Sequence, residues 1–281
     1  MRIDNDGVGL EVVVDGPEGG PPVLFLHGIS GSSATYDFLV PRYPRHRIHR
    51  LDFRGHGRSD RAPGHYVMDD FASDAEAVLA AVGPMPIVGH SLGGITAAFV
   101  SQRRPELTPA LFMEDPPLYF GDREVFDGTA FAVVFPLLQA AITSWQAEGA
   151  SAEQIAAAMA AAPSMSGQGT MGDESTADAL AATGTALTQL DPSVFDPVLS
   201  GGSLGQFDPE VPIPAPGVLL QPDRELGAAF FDDHATRLGA LNPKLEIVRL
   251  RGVGHLIHDS LTHRDEYLTQ LDRFLATYAP A

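Results

Sequence analysis

Short apolar runs alternate with stretches of helical periodicity in both halves of the chain. The runs cover residues 10–14, 22–26, 48–53, 85–88, 110–113, 217–221 and 246–250. They are too short for buried helices and are bounded by turn residues, which is typical of strands whose two faces are both covered. Because helical patterns separate most of these runs, we predict an α/β protein with a mostly parallel sheet and helices on both faces.

The pattern changes between residues 118 and 209, where the chain becomes alanine-rich and helical. We predict a helix over 129–148 that breaks at Pro136, and a second helix opened by a capping box at Ser151-Ala152-Glu153-Gln154. A flexible stretch over 166–175 precedes a third helix over 176–190, and Asp191-Pro192 opens a fourth. No parallel strand is visible here. We therefore predict a core formed by residues 1–117 and 210–281, with residues 118–209 as a helical cap inserted into it.

One candidate for chemistry is the stretch Val88-Gly89-His90-Ser91-Leu92-Gly93-Gly94, which lies between a predicted strand and a predicted helix. Gly-x-Ser-x-Gly in that context forms a turn so sharp that only residues without a Cβ fit beside the serine. The turn exposes the serine Oγ, and the helix that follows directs its positive N-terminal end toward the same place. Ser91 is therefore the candidate nucleophile.

Other polar residues also follow predicted strands. In a parallel sheet the functional residues lie at the carboxyl ends of the strands, so these side chains are expected at one edge. They are His27, Asp52, Ser91, Asp115, Asp223 and His255.

Taken together, His27-Gly28, the segment 52–59, the turn at Ser91 and the Gly-x-Gly-His ending at His255 resemble the motifs of an α/β-hydrolase. The resemblance covers essentially the whole core and is closest to the capped serine esterase or lactonase type. It implies an eight-stranded sheet, Ser91 as nucleophile and His255 as its general base. It also implies an oxyanion hole formed by the backbone N–H groups of Ile29 and Leu92.

The sequence leaves the third member of the triad open. Asp223 and Glu225 follow the strand after which the family usually places its acid, but the surrounding Pro-Asp-Arg-Glu departs from the usual pattern. Asp115 follows the preceding strand, a position that some members use, and the turn Glu114-Asp115-Pro116-Pro117 would hold it at the sheet edge. We favour Asp115, with Asp223, Glu225 and Glu114 as alternatives.

Three other polar residues and a second histidine receive structural roles. Asp52, Arg54 and His56 are expected to brace the loop beside the site rather than to react. His258 lies three residues after His255 but lacks the Gly-x-Gly approach, so we assign it to the loop or the pocket wall.

Composition excludes several other classes of protein. The chain has no cysteine, which excludes disulfides, thiolate zinc sites and a cysteine nucleophile. Its formal net charge of −18 argues against nucleic acid or an anionic membrane as partner, since phosphate binding needs clustered Lys and Arg. The N-terminal residues lack the apolar core of a secretory signal, so a cytoplasmic location is expected. No zinc ligand set or dinucleotide-binding turn is present, so no metal and no cofactor is expected.

These observations predict a serine hydrolase that cleaves a small apolar carboxylic ester or lactone through an acyl-enzyme. Alternatives within the enzyme class are a thioesterase, a carbon–carbon bond hydrolase and a cofactor-free perhydrolase. An alternative from another class is a ligand-binding receptor that keeps the fold and uses the cap as a lid.

Overall fold

The computed structural model describes all residues from Met1 to Ala281. Its strands form a single eight-stranded sheet in the order β1-β2-β4-β3-β5-β6-β7-β8. The strands are β1 Arg2–Asn5, β2 Val8–Asp15, β3 Pro22–Leu26, β4 Arg47–Leu51, β5 Ile87–His90, β6 Leu111–Glu114, β7 Gly217–Gln221 and β8 Leu245–Arg249. Strands β3 to β8 are parallel, whereas β2 runs antiparallel to β4 and β1 antiparallel to β2. The predicted fold class is confirmed.

The chain forms ten α-helices. They are α1 Met68–Val82, α2 Leu92–Arg103, α3 Arg123–Asp127, α4 Phe131–Glu148, α5 Ala152–Ala161, α6 Met171–Glu174, α7 Ala177–Gln189, α8 Asp196–Ser200, α9 Asp232–Leu241 and α10 Arg264–Tyr278. Short 3₁₀ helices cover Ser33–Leu39, Pro105–Leu107, Pro192–Phe195 and Arg224–Leu226. None of the helices combines the length and apolar character that crossing a bilayer requires.

Both faces of the central strands are buried, which explains their nearly unbroken apolar sequences. In β3, Leu24 and Leu26 belong to a cluster of 45 buried residues that also contains residues of α1 and α2. Val23 and Phe25 point to the other face and join a cluster of 20 buried residues with α10. Successive side chains of a strand alternate between faces, so a strand covered on both sides must be apolar throughout.

The edge strand β1 was not indicated by the apolar pattern. Its residues Arg-Ile-Asp-Asn are exposed or half-buried, and β1 pairs only with β2. An edge strand of this kind owes its existence to backbone pairing with its neighbour, which leaves no apolar run in the sequence.

Between β6 and β7 the chain forms helices α3 to α8 and adds no strand to the sheet. The predicted break at Pro136 is wrong, since α4 runs through it as one helix. An interior proline costs a helix one backbone hydrogen bond and crowds the preceding turn, but burial of Phe131, Phe135 and Ile142 on both sides of it favours the continuous helix. The capping box at Ser151 opens α5 as predicted. The stretch predicted as flexible contains α6, capped by Thr170. Asp191 caps a 3₁₀ helix rather than an α-helix.

Candidate active site

Ser91 occupies the turn between β5 and α2 and has backbone angles of φ 50° and ψ −113°, which are unusual for a residue with a side chain. The flanking glycines are required by crowding. A Cβ on Gly89 would lie 2.3 Å from the carbonyl oxygen of Gly93, and a Cβ on Gly93 would lie 2.0 Å from the carbonyl oxygen of Leu26. No other residue fits at either position, so the sequence Gly-x-Ser-x-Gly dictates this turn.

The two predicted oxyanion donors come from adjacent strands. Leu92 is the first residue of α2, where backbone N–H groups have no acceptor within the helix. Ile29 follows β3, which pairs with β5 through Leu26 and Gly89. Ile29, Leu92 and Ser91 line the same cavity. The fold thus places both residues at the cavity that contains Ser91.

Asp115 and His255 are in direct contact. The Nδ1–H of His255 donates to Asp115 Oδ2 at 2.6 Å, and both side chains are buried. The backbone N–H groups of Ala229 and Phe230 donate to the two carboxylate oxygens at 2.8 and 2.9 Å. Burial raises the pKa of the Asp115 carboxyl, while His255 and these backbone groups oppose the rise. Three donors on one carboxylate fix its position and that of the imidazole.

The other candidate acids lie elsewhere. Asp223 accepts hydrogen bonds from Arg249 at 3.0 Å and from the backbone of Gly252 at 2.7 Å. Glu225 lies in the 3₁₀ helix after β7 and does not bond His255. Glu114 is bound to His258. Among the four carboxylates considered, Asp115 is the one that contacts His255.

His255 lies against the serine turn. The Nε2–H of His90, the residue before Ser91, donates to the carbonyl oxygen of His255 at 3.1 Å, and the two rings lie 4.6 Å apart. The opposite nitrogen of His255, Nε2, bonds no protein group, nor does Ser91 Oγ. Catalytic hydrogen bonds are often formed only in the substrate complex, so this geometry is compatible with proton transfer between them.

The segment after β4 makes structural contacts around the oxyanion loop. Asp52 accepts from the backbone N–H groups of Ser33 at 2.6 Å and Arg58 at 3.0 Å. The Nε2–H of His56 donates to the carbonyl oxygen of Ile29 at 2.8 Å. Burial lowers the pKa of His56, and the carbonyl oxygens of Arg54 and Ile29 oppose that fall. These contacts hold the loop that carries the Ile29 N–H group.

His258 does not line the cavity, although the sequence allowed a place in the pocket wall. It lies buried behind the serine turn, where its Nδ1–H donates to Glu114 Oε2 at 2.7 Å. His90, Glu114 and His258 form the one cluster of three His, Asp or Glu side chains whose ligand atoms, within 4.8 Å of one another, are close enough to share a metal ion. The sequence signal for this arrangement is the acid beside Asp115 and the histidine near His255.

A narrow apolar cavity of about 50 Å³ opens onto Ser91. None of its lining residues is charged. Those from the core are Ile29, Met68, Ser91, Leu92, Ile95, Pro117 and Ala229, and those from the segment 118–209 are Phe120, Phe131, Phe135, Val198, Ser203 and Leu204. Such a surface binds neutral apolar groups and offers a carboxylate no counter-charge.

The fold agrees with that of known proteins. A model of the alpha/beta hydrolase fold family matches residues 21–147. The N-formylmaleamic acid deformylase of Pseudomonas putida S16 superposes with a TM-score of 0.75 at 16% identity, covering 96% of this chain and 99% of that one. The chain therefore has the α/β-hydrolase fold, and its first half matches that family.

Two further comparisons show which proteins resemble this chain. The enol-lactonase of Burkholderia xenovorans LB400 superposes with a TM-score of 0.71 at 16% identity, covering 98% of this chain and all of that one (100%). A serine hydrolase-like protein of Homo sapiens is 36% identical over 105 residues, which are 36% of this chain and 52% of that protein. The match therefore spans about half the length of this curated relative, and the structural likeness, at low identity, concerns the fold.

Proposed function

We propose that this α/β-hydrolase is a serine hydrolase that cleaves a neutral carboxylic ester or lactone, with Ser91, His255 and Asp115 as its triad. The observation that carries the proposal is the 2.6 Å hydrogen bond between His255 Nδ1 and Asp115, made directly beside the turn that presents Ser91. A serine hydroxyl attacks a carbonyl only when a base takes its proton, and an aspartate on Nδ1 keeps the imidazole in the tautomer that can do so.

The proposed reaction runs in two halves. Ser91 Oγ attacks the carbonyl carbon as His255 Nε2 takes the hydroxyl proton, and the N–H groups of Ile29 and Leu92 bind the oxyanion. The tetrahedral intermediate collapses, and His255 returns the proton to the leaving alcohol oxygen. Water then attacks the acyl-enzyme with His255 as base, releasing the acid and free Ser91. With a lactone, the alcohol remains part of the acyl group throughout, and the second half releases a single hydroxy acid.

The cavity supports an uncharged substrate. Relatives include an enzyme named for N-formylmaleamic acid and one named for enol lactones. An acid substrate would require a cationic partner at the site, and none lines this cavity. A neutral ester or lactone meets no such requirement.

We further propose that residues 118–209 cap the site. Phe120, Phe131 and Phe135 form much of the cavity wall opposite Ser91. The cavity of about 50 Å³ is well below the ~300 Å³ of typical ligand sites, so a substrate larger than a short acyl ester requires this segment to move.

The test combines labelling with turnover. Wild-type protein should react stoichiometrically with a fluorophosphonate and hydrolyse p-nitrophenyl acetate. Ser91→Ala should abolish labelling and lower turnover by ~10⁴- to 10⁶-fold while the protein stays folded. Ser101→Ala is the matched control, because Ser101 is a buried serine of α2 that bonds only the backbone of Ala215.

Three outcomes would contradict the proposal. Retention of more than a tenth of the activity in folded Ser91→Ala would refute the nucleophile assignment. Labelling of Ser91 without turnover of any ester would favour the ligand-binding receptor. Turnover of thioesters or of carbon–carbon bonds in preference to esters would favour those hydrolases.

A further inference from the structure

A second acid–histidine pair lies beside the proposed triad and comes from the same two segments. Glu114 precedes Asp115 at the end of β6, and His258 follows His255 on the same loop. Glu114 Oε1 accepts the backbone N–H of His258 at 2.9 Å, while Oε2 accepts the ring Nδ1–H at 2.7 Å. Both side chains are 1% exposed. One carboxylate therefore fixes both the backbone and the ring of His258.

This pair is connected to His255 through His90. The ring of His90 lies 4.6 Å from the ring of His255 and 4.8 Å from that of His258. Its Nε2–H bonds the carbonyl oxygen of His255. The four-residue loop is thus held at its first carbonyl by His90 and at its last N–H by Glu114. Few conformations of the loop satisfy both bonds.

The same loop continues into contacts with the helical segment 118–209. The backbone N–H of Thr176 donates to the carbonyl of Asp259 at 2.9 Å, and that of Leu261 donates to the carbonyl of Glu174 at 2.8 Å. Movement of the helical segment would therefore pull on the loop that carries His255. The ion pair of Glu114 and His258 lies between these contacts and His255.

We propose that Glu114 and His258 are positioning residues, whose buried pair holds the His255 loop so that Nε2 of His255 stays in reach of Ser91. The proposal rests on the proposed hydrolase function. A buried ion pair is a weak source of stability, since apolar residues of similar volume often replace one without loss. Positioning accounts better for two charges at this place, because each bond of Glu114 restrains the loop.

The deciding variant replaces both residues by apolar ones of similar size, Glu114→Met with His258→Leu. It removes both members of the pair, and Asp259, whose Oδ1 lies 3.4 Å from His258 Nε2, keeps Arg264 as a partner at 4.0 Å. The fold should therefore survive with a melting temperature near that of wild type. The loop loses both bonds of Glu114 while it keeps those of His90 and Arg264 to its carbonyl groups. We expect kcat for p-nitrophenyl acetate to fall about 10- to 100-fold with KM unchanged, as for a misplaced catalytic group. The downfield proton signal of the His255–Asp115 hydrogen bond should weaken or shift in the NMR spectrum.

A second variant and a control complete the experiment. Glu114→Gln keeps the size of the side chain and should lower kcat in the same direction, and it decides the question if the double variant does not fold. Asp272→Asn removes a carboxylate that bonds Arg42 and Tyr43, away from both pairs, and should leave kcat and the NMR signal unchanged.

Two outcomes would overturn the proposal. Wild-type kcat and an unchanged NMR signal in a folded double variant would show that Glu114 and His258 only fill space and do not position His255. Loss of wild-type activity on treatment with a chelator, restored by Zn²⁺, would make His90, Glu114 and His258 a metal site instead. Failure of the proposed hydrolase function is distinguishable, because a protein without labelling or turnover would still report the His255–Asp115 bond and its change by NMR.

Discussion

At the scale of single residues, Asp115 shares with Ser91 a backbone conformation that is unusual for a residue with a side chain. It also has a positive φ, 42°, and its two oxygens accept hydrogen bonds from His255 and from two backbone N–H groups. Strained backbone persists where the surroundings overdetermine it, and it is concentrated at functional sites. Of the three non-glycine residues with positive φ, Ser91 and Asp115 are members of the proposed triad, and Asp6 lies in the turn between β1 and β2.

We expect Asp115→Asn to keep the shape of the site while favouring the wrong imidazole tautomer. The predicted loss in kcat is ~10⁴-fold. Asp223→Asn, which removes a carboxylate bound to Arg249 and the backbone of Gly252, should cost less than ~10-fold, since neither partner belongs to the triad. Steady-state kinetics on p-nitrophenyl acetate, with thermal melts as a check on folding, provide the measurement. A large loss at Asp223 and a small one at Asp115 would reverse the assignment.

At this scale the sequence predicts a residue's conformation when the groups that restrict it are its neighbours in the chain. The turn at Ser91 was predictable because its constraint is local: glycine is needed at Gly89 and Gly93 whatever surrounds them. The position of Asp115 was only favoured, because the groups that hold it, Ala229 and Phe230, come from a loop more than a hundred residues away. The spacing of apolar residues along the chain does not indicate contacts between segments so far apart in sequence.

At the scale of elements, the loop after β8 approaches the end of β6 and carries one histidine to each of two adjacent acids. The sequence could predict that β6 and β8 end at the same edge of the sheet. It does not predict which way the loop turns, so a place in the loop and a place in the pocket wall are both open for His258. The hydrogen bond that the backbone N–H of His258 donates to Glu114 sets the direction of the loop and places the His258 side chain away from the cavity.

This pairing predicts a pH dependence of stability. Burial lowers the pKa of His258, but the charges of Asp259 and Glu114 outweigh it and raise the pKa to about 9. A pKa above the unfolded value of ~6.5 means that the folded state favours the protonated ring, so the stabilisation is complete below pH ~6.5. It declines as the pH rises and is lost above about pH 9. Other ionisable groups around the ring are His90, Arg264, Tyr36 and Tyr267.

The measurement is urea unfolding of wild type and of Glu114→Met with His258→Leu between pH 6 and pH 10. The wild-type free energy of unfolding should fall relative to that of the variant by at most about 3 kcal/mol across this range. Parallel curves for the two proteins would show that His258 does not titrate with folding.

At the scale of the whole molecule, the fold was the most predictable property. Apolar runs at β3, β5, β6 and β7 identify strands buried on both faces, and the alternation with helices leaves few topologies. The sequence pattern does not predict the edge strand β1, because this strand is half exposed and has no apolar run. In the helical segment the sequence predicts α4, α5 and α7 but not the short helices α3 and α6. It does not predict how the helices pack, since its alanines fit many arrangements. The narrowness of the cavity therefore became visible only in the structure.

The net charge of −18 predicts how the whole molecule selects among esters. Its field repels anions over a Debye length of ~30 Å at 0.01 M salt, which shrinks to ~10 Å at 0.1 M. For p-nitrophenyl acetate, which is neutral, kcat/KM should vary less than ~2-fold with NaCl concentration. For the same ester carrying a carboxylate on its ring, kcat/KM should start lower and rise up to ~10-fold as salt screens the repulsion. Because the two esters share their acyl group, chemistry at Ser91 is matched and the difference isolates the approach of the substrate. A decrease with salt for the anionic ester would reveal a cationic patch at the mouth of the site and contradict the proposed preference for neutral substrates.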